Sequence, residues 1–193
     1  MQLRTRLSHP ATCHPDVAGV LVSERALARR VRELGAEISR DYAGREILLV
    51  GVLRAGLVFL ADLARAISVP VRVDCLAAAS YGAGTSSSGA VRITRDLDES
   101  LAGRHVLVVD TVLDTGLTLR ALDAALRARG PASVRYCVLL QKDRGGPPPF
   151  RADYVGFTIP DRFVVGYGLD YAQRFRNLPY VGVLRRPVYE GTS

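Results

Sequence analysis

An α/β fold, a parallel sheet flanked by helices, is the architecture this chain predicts. Three observations point to it: unbroken apolar strands such as Val106-Leu-Val-Val109, amphipathic helical stretches between them, and turns rich in glycine or carboxylate at the strand ends. Strands covered on both faces read as continuous β-branched runs, the mark of a parallel sheet. Strand and helix in alternation close such sheets through right-handed crossovers.

Residues 1–22 read as irregular, broken at His9-Pro10 and His14-Pro15. Ser23 supplies a hydroxyl cap for a helix over 24–40, whose apolar stripe is Leu27, Val31, Leu34 and Ile38. The run 47–53 is a buried strand, Arg54-Ala55-Gly56 a tight connection, and the next helix sets Leu57, Leu60, Leu63 and Ile67 on one side. A strand over 69–75 leads to the polar, glycine-rich stretch 80–89, which suits a flexible connection or a mobile lid. Strand 106–109, helix 118–129 (stopped by Gly130-Pro131) and strand 134–140 continue the alternation. Beyond the loop at 145–149, short strands are expected near 154–157, 163–165 and 180–183.

The 193 residues fit one domain, with no internal repeat and no linker long enough to divide it. A composition 48% apolar and 23% charged is that of a globular protein. The most apolar stretch, 47–61, is interrupted by Arg54 and two glycines and is too short to span a membrane. The N-terminal residues lack a signal-peptide core, so the expected location is cytoplasmic. Cys13, Cys75 and Cys137 are widely spaced, as reduced thiols are, and Cys13-His14 has no second ligand pair for structural zinc. The net charge of +7 fits either nucleic acid or a small polyanionic substrate. The basic residues are scattered and carry no base-stacking aromatic motif, which favours the substrate and predicts no nucleic-acid partner.

The window 106–118 carries the most chemistry. Backbone N–H groups where its strand turns into a helix, with the Thr115 and Thr118 hydroxyls beside them, make a seat for phosphate. Asp110 and Asp114 are placed to hold a metal, a sugar hydroxyl or a proton. Together these imply a phosphorylated sugar accompanied by Mg²⁺. Capping alone explains an Asp or a Thr at a helix start. It does not explain an apolar strand, an Asp-Thr-Gly turn and a helix in that order. A second signal is Lys142: of 26 basic residues it is the one Lys, and it follows an apolar strand. Ligands of open parallel sheets bind at the C-terminal strand ends, where a compact ammonium and a guanidinium are not interchangeable.

The window 106–118 resembles the signature with which type I phosphoribosyltransferases bind phosphoribosyl diphosphate (PRPP): an apolar strand, two acidic residues, two apolar residues, then Asp-(Ser/Thr)-Gly-x-Thr. The usual Glu-Asp pair is Asp110-Thr111 here. The segments 159–171 and 174–180 resemble the C-terminal signature of the hypoxanthine-guanine phosphoribosyltransferases, and the likeness runs over roughly residues 20–184. It implies the type I phosphoribosyltransferase fold in a single domain, a core over about 23–158 and a small hood from 1–22 and about 159–193.

The resemblance also implies roles. Asp114, Thr115, Gly116, Leu117 and Thr118 would hold the 5′-phosphate. Arg54, Ala55 and Gly56 would cradle pyrophosphate, often through a non-proline cis peptide, although relatives usually have Gly where Ala55 stands. Arg176 would neutralise the departing pyrophosphate, and Ser80 and Tyr81 would lead a lid over the reacting centre. Phe163 would stack on the purine, the Val164 backbone would read its edge, and Lys142 would donate to its 6-oxo group. Asp114 would exchange a proton with N7. Asp110 and Thr111 would contact the ribose, and Asp110 and Asp170 would meet Mg²⁺. The implied activity is transfer of phosphoribosyl from PRPP to hypoxanthine or guanine in purine salvage, by a homodimer or homotetramer. Two alternatives remain at this point: a relative specialised for xanthine or a 7-deazapurine, and an RNA-binding attenuator on the same fold. The attenuators often carry an aromatic residue where Asp114 stands.

Overall fold

In the computed structural model, residues 7–10, 13–80, 91–148 and 150–190 are described. The elements run β1 (Val17–Val22), α1 (Glu24–Asp41), β2 (Ile47–Leu53), α2 (Gly56–Ala66), β3 (Val71–Ser80), β4 (Val91–Arg95) and β5 (His105–Leu113). They continue with α3 (Leu117–Arg127), β6 (Ser133–Asp143), β7 (Tyr154–Pro160), β8 (Val164–Val165), β9 (Val181–Leu184) and α4 (Arg186–Glu190). Among the described residues the main sheet has the order β4-β3-β2-β5-β6-β7, parallel except for the antiparallel edge strand β4.

Alternation along the strands divides the core into two layers. Leu49 of β2 and Leu107 and Val109 of β5 face α1 and α2, meeting Leu27, Val31, Leu34, Ile38, Leu60 and Leu63. Leu48 and Val50 of β2 and Val106 and Val108 of β5 face α3, meeting Leu119, Leu122 and Leu126. The Ser23 hydroxyl caps α1 by accepting from the Ala26 N–H. Leu57 departs from the expected stripe and is 54% exposed. One residue of helix turns about 100°, and that step from buried Gly56 carries Leu57 off the packed face.

The expectation of an irregular N-terminal segment is corrected. Val17–Val22 is a strand that pairs antiparallel with β9, and β9 pairs with β8, forming a small second sheet from both ends of the chain. Its core is Val17, Val20, Val165, Phe175, Tyr180 and Leu184. The strand expected over 106–109 also runs further, to Leu113, because it keeps β6 as a partner after its pairing with β2 ends at Gly51 and Val109.

Candidate active site

The C-terminal ends of β2, β5 and β6 gather the side chains singled out above. Where β5 ends, Asp114 and Thr115 lead into Gly116, whose φ of 73° is the left-handed conformation that lets the chain turn directly into α3. The Gly116 carbonyl accepts the first helical bond from the Arg120 N–H at 2.9 Å. The turn borders a cavity of about 280 Å³ lined by Asp110, Asp114, Thr115, Gly116 and Thr118, with Val52 opposite. No side chain caps the start of α3, and Gly116 and Thr118 of that start border this space. Asp110 accepts from the Thr111 N–H at 2.7 Å. Burial pushes its carboxyl up to about 6, against the opposing pull of the Thr111 and Val112 N–H groups.

Thr111 is not where a ribose contact requires it. Its side chain is fully buried, and its hydroxyl donates to the Ala55 carbonyl at 2.8 Å. Asp110 borders the cavity and its strand neighbour Thr111 does not. The expected ribose role for Thr111 is therefore corrected. Ala55 and Gly56 start α2, and the Leu53–Arg54 bond is cis, as the resemblance implied. Arg54 reaches the Gln173 side-chain oxygen at 3.1 Å, which also accepts from Arg176 at 3.2 Å. Arg176 pairs with Asp170 at 2.8 Å and donates to the Gly168 carbonyl at 2.7 Å. Two guanidiniums thus stand together beyond the β2 end of the cleft, tied through one amide.

The second cluster joins β5, β6 and the segment after β7. Lys142, with a side chain only 13% exposed, pairs with Asp114 at 2.8 Å and with Asp161 at 3.1 Å. Arg144 pairs with the same two carboxylates. Phe163 is 39% exposed, stacked on Tyr189 of α4 at 4.8 Å and edge-on to Tyr171 at 5.7 Å. The Leu184 N–H bonds to the Phe163 carbonyl at 2.9 Å. In an antiparallel pair the next residue turns its own N–H and C=O away from the partner, so the Val164 main chain points outward from the edge strand β8. Ser80 ends β3, and Tyr81 with the rest of the expected lid lies outside the described residues.

The chain and its fold resemble known proteins. The phosphoribosyl transferase domain family matches residues 19–172. The hypoxanthine-guanine phosphoribosyltransferase of Bacillus subtilis is 46% identical over 175 residues, covering 91% of this chain and 97% of that protein. The chain belongs to the hypoxanthine-guanine phosphoribosyltransferase family. The enzyme of that name from Mycobacterium tuberculosis is likewise 46% identical, over 91% of this chain and 90% of its own length. Among solved structures, a hypoxanthine phosphoribosyltransferase from Staphylococcus aureus superposes with a TM-score of 0.87 at 38% identity, covering 94% of this chain and 99% of that one.

Membership in this family frames what sequence reasoning missed. Asp161, Arg144 and Gln173 were not singled out, yet each bonds directly to a residue that was. Asp161 and Arg144 flank Phe163 and Lys142 closely in sequence, which was the available signal. The donor set also fits Mg²⁺ of the kind that phosphoribosyltransferases use. Among the described residues no three His, Cys, Asp or Glu side chains converge as a protein cage. Mg²⁺ is commonly held by one or two carboxylates, with substrate phosphates and water completing the shell. Asp110, a carboxyl penalised by burial beside the phosphate cavity, is suited to that arrangement.

Proposed function

We propose that this protein transfers the 5-phosphoribosyl group of PRPP to N9 of hypoxanthine or guanine, yielding IMP or GMP and pyrophosphate in purine salvage. The observation that carries the reading is Asp114 held by Lys142 beside the cavity at the start of α3. The ammonium of Lys142 has three N–H bonds, and Asp114 and Asp161 take two of them. The third serves the 6-oxo group of the base, which selects oxopurines over adenine. Phe163 stacks on the ring, and the outward N–H and C=O of Val164 read its edge.

N9 attacks C1′ as the C1′–O bond to pyrophosphate breaks, and pyrophosphate leaves with the electron pair. The proton on N7 passes to Asp114. Thr115, Gly116, Leu117 and Thr118 hold the 5′-phosphate, and Arg54 and Arg176 hold pyrophosphate, with Ala55 and Gly56 shaping its cradle. Asp110 binds the ribose hydroxyls. Asp110 and Asp170 would hold Mg²⁺, which when bound would offset the pyrophosphate charge. Ser80 and Tyr81 begin a lid that excludes water during transfer. In this reading the core spans about 23–158, the hood is built from 1–22 and about 159–193, and the enzyme works in the cytoplasm as a homodimer or homotetramer.

Asp114→Asn tests the reading. It should keep PRPP binding and lower kcat by about 10²–10⁴-fold, the range for a positioned proton-transfer group. Turnover within a few-fold of wild type removes Asp114 from the chemistry. Lys142→Ala should raise KM for both oxopurines by about 10-fold or more, the worth of a charge-assisted hydrogen bond. An unchanged KM takes Lys142 out of the base pocket.

A further inference from the structure

The position where the chain departs from the family's acidic pair has its own structural logic. The main-chain ladder between β2 and β5 runs from Ile47 and His105 to Gly51 and Val109, and there it stops. Two residues on, the Thr111 hydroxyl restores a link between the two strands' continuations by donating to the Ala55 carbonyl at 2.8 Å. That carbonyl is also the floor under Gly168, whose φ is 94° and where a Cβ would collide with the Ala55 oxygen. Gly168 in turn is bonded to Arg176 in both directions, N–H to the Arg176 carbonyl at 3.0 Å and carbonyl from the Arg176 side chain at 2.7 Å. Arg54, next to Ala55, meets Arg176 through Gln173. One carbonyl therefore sets the height of both guanidiniums.

We infer that Thr111 is a positioning residue for the pyrophosphate end of the site, acting through the Ala55 carbonyl. The inference rests on the transfer reaction proposed above. A carbonyl requires a donor, and a hydroxyl supplies one while an ionised carboxylate cannot. A carboxylate in this fully buried place would face the carbonyl oxygen unpaired, at a high desolvation cost. Thr111 is thus a matched partner for the Ala55 carbonyl of this loop.

The test compares Thr111→Ser, Thr111→Cys, Thr111→Val and Thr111→Asp for KM of PRPP, KM of pyrophosphate in the reverse direction, and KM of the purine. Loss of the donor in Thr111→Val should raise both PRPP and pyrophosphate KM by about 5- to 50-fold. The purine KM and kcat at saturating PRPP should stay within about 3-fold, because Lys142 and Phe163 do not touch this tie. Thr111→Ser should stay near wild type and Thr111→Cys, a weak donor, should fall between. Thr111→Asp should weaken PRPP binding. If Thr111→Val does not fold, Thr111→Cys carries the comparison. Wild-type PRPP and pyrophosphate KM in the folded donor-poor variants overturns the inference, as does an equal rise in purine KM. A wild-type protein that makes no nucleotide defeats the transfer reaction itself, a separate outcome.

Discussion

Asp110 shows how a single carboxyl is set by two opposing influences. Two backbone N–H groups favour its charge, burial disfavours it, and burial prevails, lifting the carboxyl to about 6. In the unfolded chain an Asp titrates near ~3.9. The folded state therefore binds the proton more tightly. The resulting penalty on stability is fully present above pH ~6 and fades as pH falls toward ~4. Asp110→Asn should melt above wild type at pH 8, with the gap closing toward pH 5, while PRPP binding drops. An equal offset at both pH values contradicts the assignment. For wild type, KM for PRPP should rise as pH falls below about 6, since in the proposed roles a protonated Asp110 would attract Mg²⁺ far less and offer the ribose fewer acceptor sites.

Much of the site was legible in the residues. Asp114, Thr115 and Thr118 sit at a strand-to-helix turn that the apolar run and Asp-Thr-Gly announce, and Lys142 stood out as the lone Lys. The ribose role expected of Thr111 came from the family's acidic pair, whereas in this chain its hydroxyl is engaged by the Ala55 carbonyl. Inside a strand, neighbours face opposite ways, and here Asp110 borders the cavity while Thr111 is fully buried. The ion pairs of Asp161 and Arg144 and the Gln173 bridge depend on segments brought together only by the fold. Local pattern does not encode such pairings.

At the scale of elements, long apolar strands and striped helices were readable because packing on both sheet faces imposes their periods. The short strands β7, β8 and β9 were anticipated as well, but β1 and β4 were not. β1 was hidden by two His-Pro steps before it, and β4 is a five-residue edge strand with only two apolar residues, Val91 and Ile93. α3 is the element that aims the phosphate turn, and its far end is anchored by fully buried Leu126. Leu126→Ala should destabilise the protein by about 2–5 kcal/mol through lost burial and the cavity left behind. Since Leu126 lies at the opposite end of α3 from Gly116, KM for PRPP in the folded enzyme should stay near wild type. A thermal melt with kinetics well below the transition checks both halves. A Tm equal to wild type would mean α3 packs more loosely than the buried stripe indicates.

At the scale of the molecule, the charge of +7 suits the polyanionic substrate proposed above. Activity should vanish with EDTA and return with Mg²⁺, and binding of RNA should be weak and lost with salt. Submicromolar, sequence-selective RNA binding at physiological ionic strength would instead point to an attenuator. Sedimentation should show a dimer or tetramer, and a monomer at micromolar concentration contradicts that part of the account. The most direct measurement is product identification from the wild-type protein incubated with PRPP, Mg²⁺ and a panel of hypoxanthine, guanine, xanthine, adenine and a 7-deazapurine. The account predicts IMP and GMP, with no AMP. Failure to use either simple 6-oxopurine, alongside turnover of xanthine or the 7-deazapurine, would contradict it.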